Sequence, residues 1–174
     1  TIPSELGYLS YNMSQSFQLV SNRLCSTVPS ELASLSSAIT TASGSENYDV
    51  TSGNFIGETP CDTVTALVAL YDNTGGTWTT TTNWRNWLDN DPCTSSWFGV
   101  KCSNSAVERL ELSSNNLIGS LPTELGLLTS LTSHLLLQSN YLSATIPSEL
   151  GGMSMLSKAF NLEVNSLTSS IPTE

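Results

Sequence analysis

A spacing of 25 residues constrains this chain more than any other feature. Val107 to Leu128 carries the skeleton Leu110-x-Leu112-x-x-Asn115-x-Leu117-x-Gly119-x-Leu121-Pro122-x-x-Leu125-Gly126. It returns as Leu135, Leu137, Asn140, Leu142, Ile146, Pro147, Leu150 and Gly151, and again as Phe160, Leu162, Asn165, Leu167, Ile171 and Pro172. Asn115, Asn140 and Asn165 thus stand 25 residues apart. A fixed period of this length marks a solenoid, in which each unit buries its apolar side chains against its neighbours. Leu110 and Leu112 alternate with Glu111 and Ser113, the period of two of a short strand. Stacking such units lines up parallel strands on one face. Proline after each Ile or Leu suits the first position of a short helical turn, and the Glu that follows lies near the turn's positive end.

Residues 1 to 61 carry weaker copies. Ile2-Pro3-Ser4-Glu5-Leu6-Gly7 is the second half of one unit; Phe17, Leu19, Asn22 and Leu24 with Val28-Pro29-Ser30-Glu31-Leu32 form a whole one. After Ile39 a polar stretch, TTASGSEN, interrupts the pattern. Tyr48, Val50, Phe55 and Gly57 then form an irregular unit, with Gly53 in place of the Asn, that stops at Cys61. A degenerate unit of this kind closes a solenoid. Residues 62 to 103 follow another logic. Val64, Leu67, Val68 and Tyr71 are spaced as an amphipathic helix, with Asp62 as N-cap and Gly75-Gly76 as stop. Trp78, Trp84, Trp87 and Trp97 follow closely.

The skeleton resembles the plant-type leucine-rich repeat, L-x-L-x-x-N-x-L-x-G-x-I-P-x-x-L-G. The stretch through Trp87, Cys93, Trp97, Gly99, Val100 and Cys102 resembles the N-terminal cap of such proteins. The resemblance implies an α/β solenoid: a right-handed superhelix with short parallel strands on one face and short helical turns on the other, interrupted by a helical cap containing Trp and Cys. It divides the chain into C-terminal repeats and a closing coil (1–61), an N-terminal-type cap (62–103) and the first repeats of a second array (104–174). A cap in mid-chain implies tandem arrays, or two parts of a longer chain brought together. In the family, Asn22, Asn115, Asn140 and Asn165 would form a ladder bonding backbone groups at the inward bend, where an unpaired buried amide costs roughly 1–3 kcal/mol. The period is one residue longer than usual in the family, and the extra residue, before the strands at Leu135 and Phe160, is expected to bulge without breaking the stack. The cap motif implies a Cys93–Cys102 disulfide. The C-terminal caps of polygalacturonase-inhibitor-like proteins imply a second between Cys25 and Cys61, while the residues themselves leave free thiols or other pairings open.

Composition narrows function. Five Lys+Arg against fifteen Asp+Glu give a net charge of −10, which argues against nucleic acid and anionic lipid as partners. No apolar run approaches the roughly 20 residues of a membrane span. Because TIPSELG at 1–7 matches Thr145 to Gly151, the chain is expected to start and stop within a solenoid, with any leader or anchor outside it. The cysteine spacings lack a close C-x-x-C pair and the one histidine, His134, lies elsewhere, so no metal or cofactor is expected. His134 reads as a surface or core-edge residue, and the tryptophans as a shield for the stack rather than a sugar platform. There is no nucleophile elbow, His-Glu-x-x-His or phosphate loop, so no enzyme is expected. Asn12-Met13-Ser14 is a glycosylation sequon.

The outward strand positions are Gln18, Val20, Asp49, Thr51, Glu111, Ser113, Leu136, Gln138, Asn161 and Glu163, a mixed, mildly acidic face without aromatic or Arg anchors. The resemblance and the cysteines together imply a non-enzymatic extracellular or cell-surface protein of tandem arrays. It would serve recognition or structure, binding protein or polysaccharide, or self-associating into an elongated assembly. Alternatives are an inhibitor of polysaccharide-degrading enzymes and, last, an ice or mineral binder, which would need Thr at one recurring outward position.

Overall fold

The computed structural model describes residues 2–13, 15–43, 48–51, 54–57, 59–74, 87, 88 and 90–173. Gly53, Gly75, Gly76, Trp78, Trp84 and the sequon's Ser14 lie outside the described residues. Short strands carry the repeats. Phe17–Gln18 (β1), Cys25–Ser26 (β2), Tyr48–Asp49 (β3) and Phe55–Ile56 (β4) belong to the early coils, and Val100–Ser103 (β5) precedes the later ones. Ala106–Glu111 (β6), Ile118–Ser120 (β7), His134–Leu136 (β8), Tyr141–Ala144 (β9), Ala159–Asn161 (β10) and Ser166–Leu167 (β11) belong to the last three coils. β6, β8 and β10 pair in parallel with Leu110, Leu135 and Phe160 in register; the two leucines are fully buried. β1 pairs with β3 and β2 with β4, also in parallel. A second parallel sheet, β7-β9-β11, follows the ladder asparagines, an element the two-residue alternation of the first strand does not announce.

The extra residue of each coil appears at Ser133. Its carbonyl accepts from both Lys158 N (3.2 Å) and Ala159 N (3.0 Å), while Ser133 N donates to Glu108 O at 3.1 Å. One carbonyl serving two amides absorbs the added length, and the strand pairing above it continues.

On the other side of the coils, the turns Ser4–Tyr11, Thr123–Leu127 and Ser148–Gly152 are 3-10 helical. Pro3, Pro122 and Pro147 stand one position before each helix, in extended conformation, rather than at its first residue. Glu5, Glu124 and Glu149 lie in the first turns, near the positive end. Gly126 packs so closely on the next coil that a Cβ there would meet Glu149 O at 2.2 Å.

Three expectations need correction. The first half of the stretch read as faltering after Ile39, residues 40–43, belongs to a 12-residue helix, Leu32–Ser43 (α1), and its second half lies outside the described residues. Leu32, Leu35 and Ile39 are fully buried along one stripe, and burial of that stripe outweighs the weak helix propensity of the Ser and Thr residues around it. Helix Cys61–Asn73 (α2) does not use Asp62 as N-cap. Pro60 precedes the helix with φ −56°, no side chain caps it, and Asp62 sits within the first turn. Finally, the ladder residue of the irregular coil is Asn54, one position after Gly53.

The ladder repeats one bonding scheme. Asn140 Oδ1 accepts from Asn115 N (2.9 Å) and Leu117 N (3.0 Å) of the coil below, and its Nδ2 donates to Leu112 O and Leu137 O, both at 2.9 Å. Asn54 does the same for the early coils, accepting from Asn22 N (3.0 Å) and Leu24 N (2.9 Å). Asn165 accepts from Leu142 N at 3.0 Å and donates to Leu137 O and Leu162 O. The residue before each regular ladder Asn is left-handed: Ser21, Ser114 and Ser139 at φ 57°, 52° and 58°, and Val164 at 53°. A β-branched residue is strained there, while Asn tolerates the conformation. Val164→Asn is expected to raise stability by about 1 kcal/mol, read as a higher urea midpoint; an unchanged or lower midpoint would contradict the strain argument.

Candidate functional site

The strand face is the surface the coils leave uncovered. Strand register sets its rows: Arg109, His134 and Ala159 align, as do Glu111, Leu136 and Asn161. β5 joins antiparallel to β6 and sets Lys101 opposite Arg109. Lys101, Arg109 and His134 therefore form a row of basic side chains in an otherwise acidic chain. Arg109 lies 3.9 Å from Glu108 Oε1 and 3.9 Å from Glu111 Oε1, with all three side chains between 35% and 40% exposed. Contacts so long and wet contribute at most a fraction of a kcal/mol, which leaves the guanidinium available. His134 Nδ1 lies 2.7 Å from Ser133 Oγ, which orients the ring. Beside the row, an open cleft of about 530 Å³ is lined by Phe98, Lys101, Glu111 and the Cys93–Cys102 disulfide. Phe98 is 38% exposed.

The ten outward positions divide between two sheets. Gln18 and Asp49 are paired neighbours on β1 and β3, with Val20 and Thr51 just beyond. Glu111, Leu136 and Asn161 share a row on the larger sheet, with Ser113, Gln138 and Glu163 two residues further along. Asp49 Oδ1 accepts from Thr51 N and Asn161 Oδ1 from Glu163 N, both at 2.9 Å, so these two side chains are turned back on their own loops. The expected absence of an Arg or aromatic anchor is corrected by Arg109 and Phe98. Arg109 shares the parity of Glu111 and was legible in the alternation; Lys101 and Phe98 depend on the antiparallel strand β5, for which the repeat pattern gives no signal. Asn12 is exposed just after the Ser4–Tyr11 helix.

The two sheets are joined through residues 61–102. Cys25 and Cys61 are bonded with Cα atoms 5.4 Å apart, as are Cys93 and Cys102 at 5.6 Å. Phe55 meets Trp97 edge to face at 5.6 Å between centroids, Trp97 lies 5.0 Å from Trp87, and Trp87 stacks on Tyr71 at 6.2 Å. Trp87 and Trp97 are 4% and 1% exposed: they fill the core and offer no sugar-stacking surface. Arg23 Nη1 bonds Asp72 Oδ2 at 2.8 Å, tying the early coil to α2.

Asp91, fully buried, fastens the irregular coil to the segment around Cys93: its carboxylate accepts from Thr59 N (2.9 Å), Cys93 N (2.9 Å) and Thr94 N (3.0 Å). Burial pushes its pKa up, but the donors at Thr94, Thr59 and Cys93 outweigh burial and hold the carboxyl below its ordinary value. With the folded value below the unfolded one, the carboxylate's contribution is complete above the unfolded value. It is lost as pH falls through the folded one. Asp91→Asn is therefore expected to be less stable at neutral pH and to lose stability less steeply than the unmodified protein below about pH 4. Urea midpoints at neutral and acid pH check this, and two parallel pH curves would count against it.

Comparison with known proteins finds likenesses over the repeats. The family profile described as Leucine Rich Repeat matches residues 106–128. A probable leucine-rich repeat receptor-like protein kinase of Arabidopsis thaliana is 38% identical over 68 residues, 38% of this chain and 7% of that protein. The receptor protein kinase WSS1 of Oryza sativa subsp. japonica is 40% identical over 47 residues, 27% of this chain and 5% of that protein. The matched stretch is thus a small part of either relative. Among solved structures, the leucine-rich repeat ectodomain of the receptor kinase SOBIR1 of Arabidopsis thaliana aligns with TM-score 0.48 and 21% identity, covering 66% of this chain and 59% of that one. The ectodomain of the receptor kinase GASSHO1/SCHENGEN3, in complex with CASPARIAN STRIP INTEGRITY FACTOR 2, aligns with TM-score 0.36 and 25% identity over 99% of this chain and 15% of that one. The recurrent skeleton, the parallel strands it forms, the asparagine ladder and the profile match agree: residues 106–128 are a leucine-rich repeat, and the chain is similar to plant-type leucine-rich repeat proteins over its repeats.

Proposed function

We propose that the chain is a non-catalytic recognition module of an extracellular or cell-surface protein, binding a protein or peptide partner on its strand face. One observation carries this reading. The row Lys101, Arg109 and His134 adjoins Glu111, Leu136 and the exposed Phe98, so cationic, anionic and apolar groups sit together on an uncovered rigid sheet. Arg and aromatic side chains are the residue types that dominate tight protein interfaces. Two disulfides favour an oxidising compartment, and the likeness of the repeats to receptor kinases of plants agrees with such a role. The break between the β1-β3 sheet and the β5-β6-β8-β10 sheet, filled by α2 and the cap tryptophans, supports reading 1–61 as the close of one array, 62–103 as a cap and 104–174 as the opening of a second.

The test is selection of binders from a displayed peptide library against the oxidised protein, followed by titration with Arg109→Ala and Leu136→Glu. Each is expected to weaken selected binders about tenfold or more. If the library yields no binders, or binders insensitive to both changes, the strand face is not the recognition surface.

A further inference from the structure

We propose that Lys101 and Arg109 form a clamp for one carboxylate, carried by an aspartate or glutamate side chain inside the partner peptide; this rests on the recognition role proposed for the strand face. β5 and β6 set Lys101 directly opposite Arg109. Directly opposed strand residues share a face with Cβ atoms about 4.5–5.5 Å apart, and like charges in that relation are destabilising. In a chain of net charge −10, two of the five Lys+Arg residues nevertheless meet here. A local rule broken without structural gain is what a functional site shows. A carboxylate between the ammonium and the guanidinium replaces the repulsion with charge-assisted hydrogen bonds. Both groups are open to it. Lys101 is exposed and makes no ion pair among the described residues, and the contacts of Arg109 to Glu108 and Glu111 are 3.9 Å long.

The backbone is shaped to hold the two cations together. Lys101 pairs with Arg109 but Cys102 with Val107, so the register shifts between them and Glu108 is left without a partner on β5. A bulge of this kind re-aims side chains and recurs beside functional sites. Val107 and Leu110 are both buried, although an unbroken strand sends alternate residues inward. The bulge therefore turns Arg109 out to the face of Lys101. Gly99, at φ 76°, brings the preceding turn against β6, where a Cβ would run into Glu111 O. Phe98 is fixed beside it, its carbonyl accepting from Trp87 Nε1 at 2.8 Å. The surroundings select the ligand. Phe98 flanks the pair on one side, across the cleft that Lys101 also lines, and Leu136 flanks it on the other, on β8 next to Glu111. Apolar groups on both flanks suit a chain that continues on both sides of its carboxylate, as an internal Asp or Glu does and a chain terminus does not. Residues two apart on an extended peptide face the same way, so the fitting segment is apolar-x-acidic-x-apolar. Glu108 and Glu111 border Arg109 and repel further acids, which favours a single acidic residue over a run.

Two displayed peptide libraries selected against the oxidised protein test the proposal, one randomised inside a longer chain and one at a free C-terminus. The internal library is expected to yield binders with one Asp or Glu and an apolar residue two positions to each side. Replacing that acid by its amide should weaken binding about tenfold or more in the unmodified protein and about threefold or less in Lys101→Gln. Lys101→Glu is expected to redirect selection toward Lys or Arg at the same position. Stability supplies an independent readout: Lys101→Gln removes a like-charge contact, so its urea midpoint should rise while its binding falls. A lower midpoint, an amide change without effect, or binders confined to the free C-terminus would overturn the clamp. Binders that lack an acid but respond to Leu136→Glu would overturn it and leave the recognition role standing, whereas libraries without any binder would overturn both.

Discussion

Asn140→Ala is expected to destabilise the protein by about 3–5 kcal/mol, because it strips bonds from several buried backbone groups at once. The side chain is 5% exposed, accepts from Asn115 N and Leu117 N, and donates to Leu112 O and Leu137 O. Alanine leaves two donors, Asn115 N and Leu117 N, and one acceptor, Leu112 O, without the amide, while Leu137 O keeps its bond from Asn165 Nδ2; each unsatisfied group costs roughly 1–3 kcal/mol before relaxation. In a solenoid each coil touches only its neighbours, so the loss should be local. Hydrogen exchange should accelerate in β8 to β11 while α2 keeps its protection, and the urea midpoint should fall. A change below about 1 kcal/mol would mean that the ladder is not what holds the coils together.

Breaking the Cys25–Cys61 bond by paired substitution to serine is expected to cost about 4 kcal/mol from chain entropy alone, against about 2.5 kcal/mol for Cys93–Cys102. The difference follows from sequence separations of 36 and 9 residues. The larger effect is on cooperativity. The early coils have a small apolar cluster of their own around Ile2, Leu32 and Val50. The main core runs from Phe55 through α2, Trp87 and Trp97 to Met153. Without the disulfide the two clusters are linked chiefly through the irregular coil, with its Thr59–Asp91 bond, and by the exposed Arg23–Asp72 pair, which contributes about 1 kcal/mol or less. Unfolding of the double variant should therefore separate into two steps, with the early coils leaving first. A single transition shifted by less than about 1 kcal/mol would show that the joint holds without the covalent tie.

The repeat was legible because each of its positions has a backbone task that recurs. Leu110 and Leu135 point inward, Asn140 bonds the bend, Pro122 and Pro147 precede the turns, and Gly126 admits a neighbouring carbonyl. Such tasks depend on local geometry and on an identical neighbour, so one coil's residues imply the next. Where the neighbour differs, the pattern misleads. Gly53 holds the expected spacing, yet Asn54 makes the ladder bonds, because the register of β4 on β2 decides which amide faces Leu24. The apolar stripe of α1 hid among Ser and Thr because its burial comes from packing on the Ser4–Tyr11 helix.

The sequence by itself determined the solenoid, the ladder positions from Asn115 onward and the outward parity of Glu111, Leu136 and Asn161, since a period of two and a period of 25 act over short distances. Only the tertiary structure decided how the irregular coil meets α2 and the segment around Trp97, through Asp91, Trp97 and the Cys25–Cys61 bond, and how Lys101 comes to stand beside Arg109. Those placements arise from contacts between segments far apart in the chain, and no repeat relates the residues on their two sides.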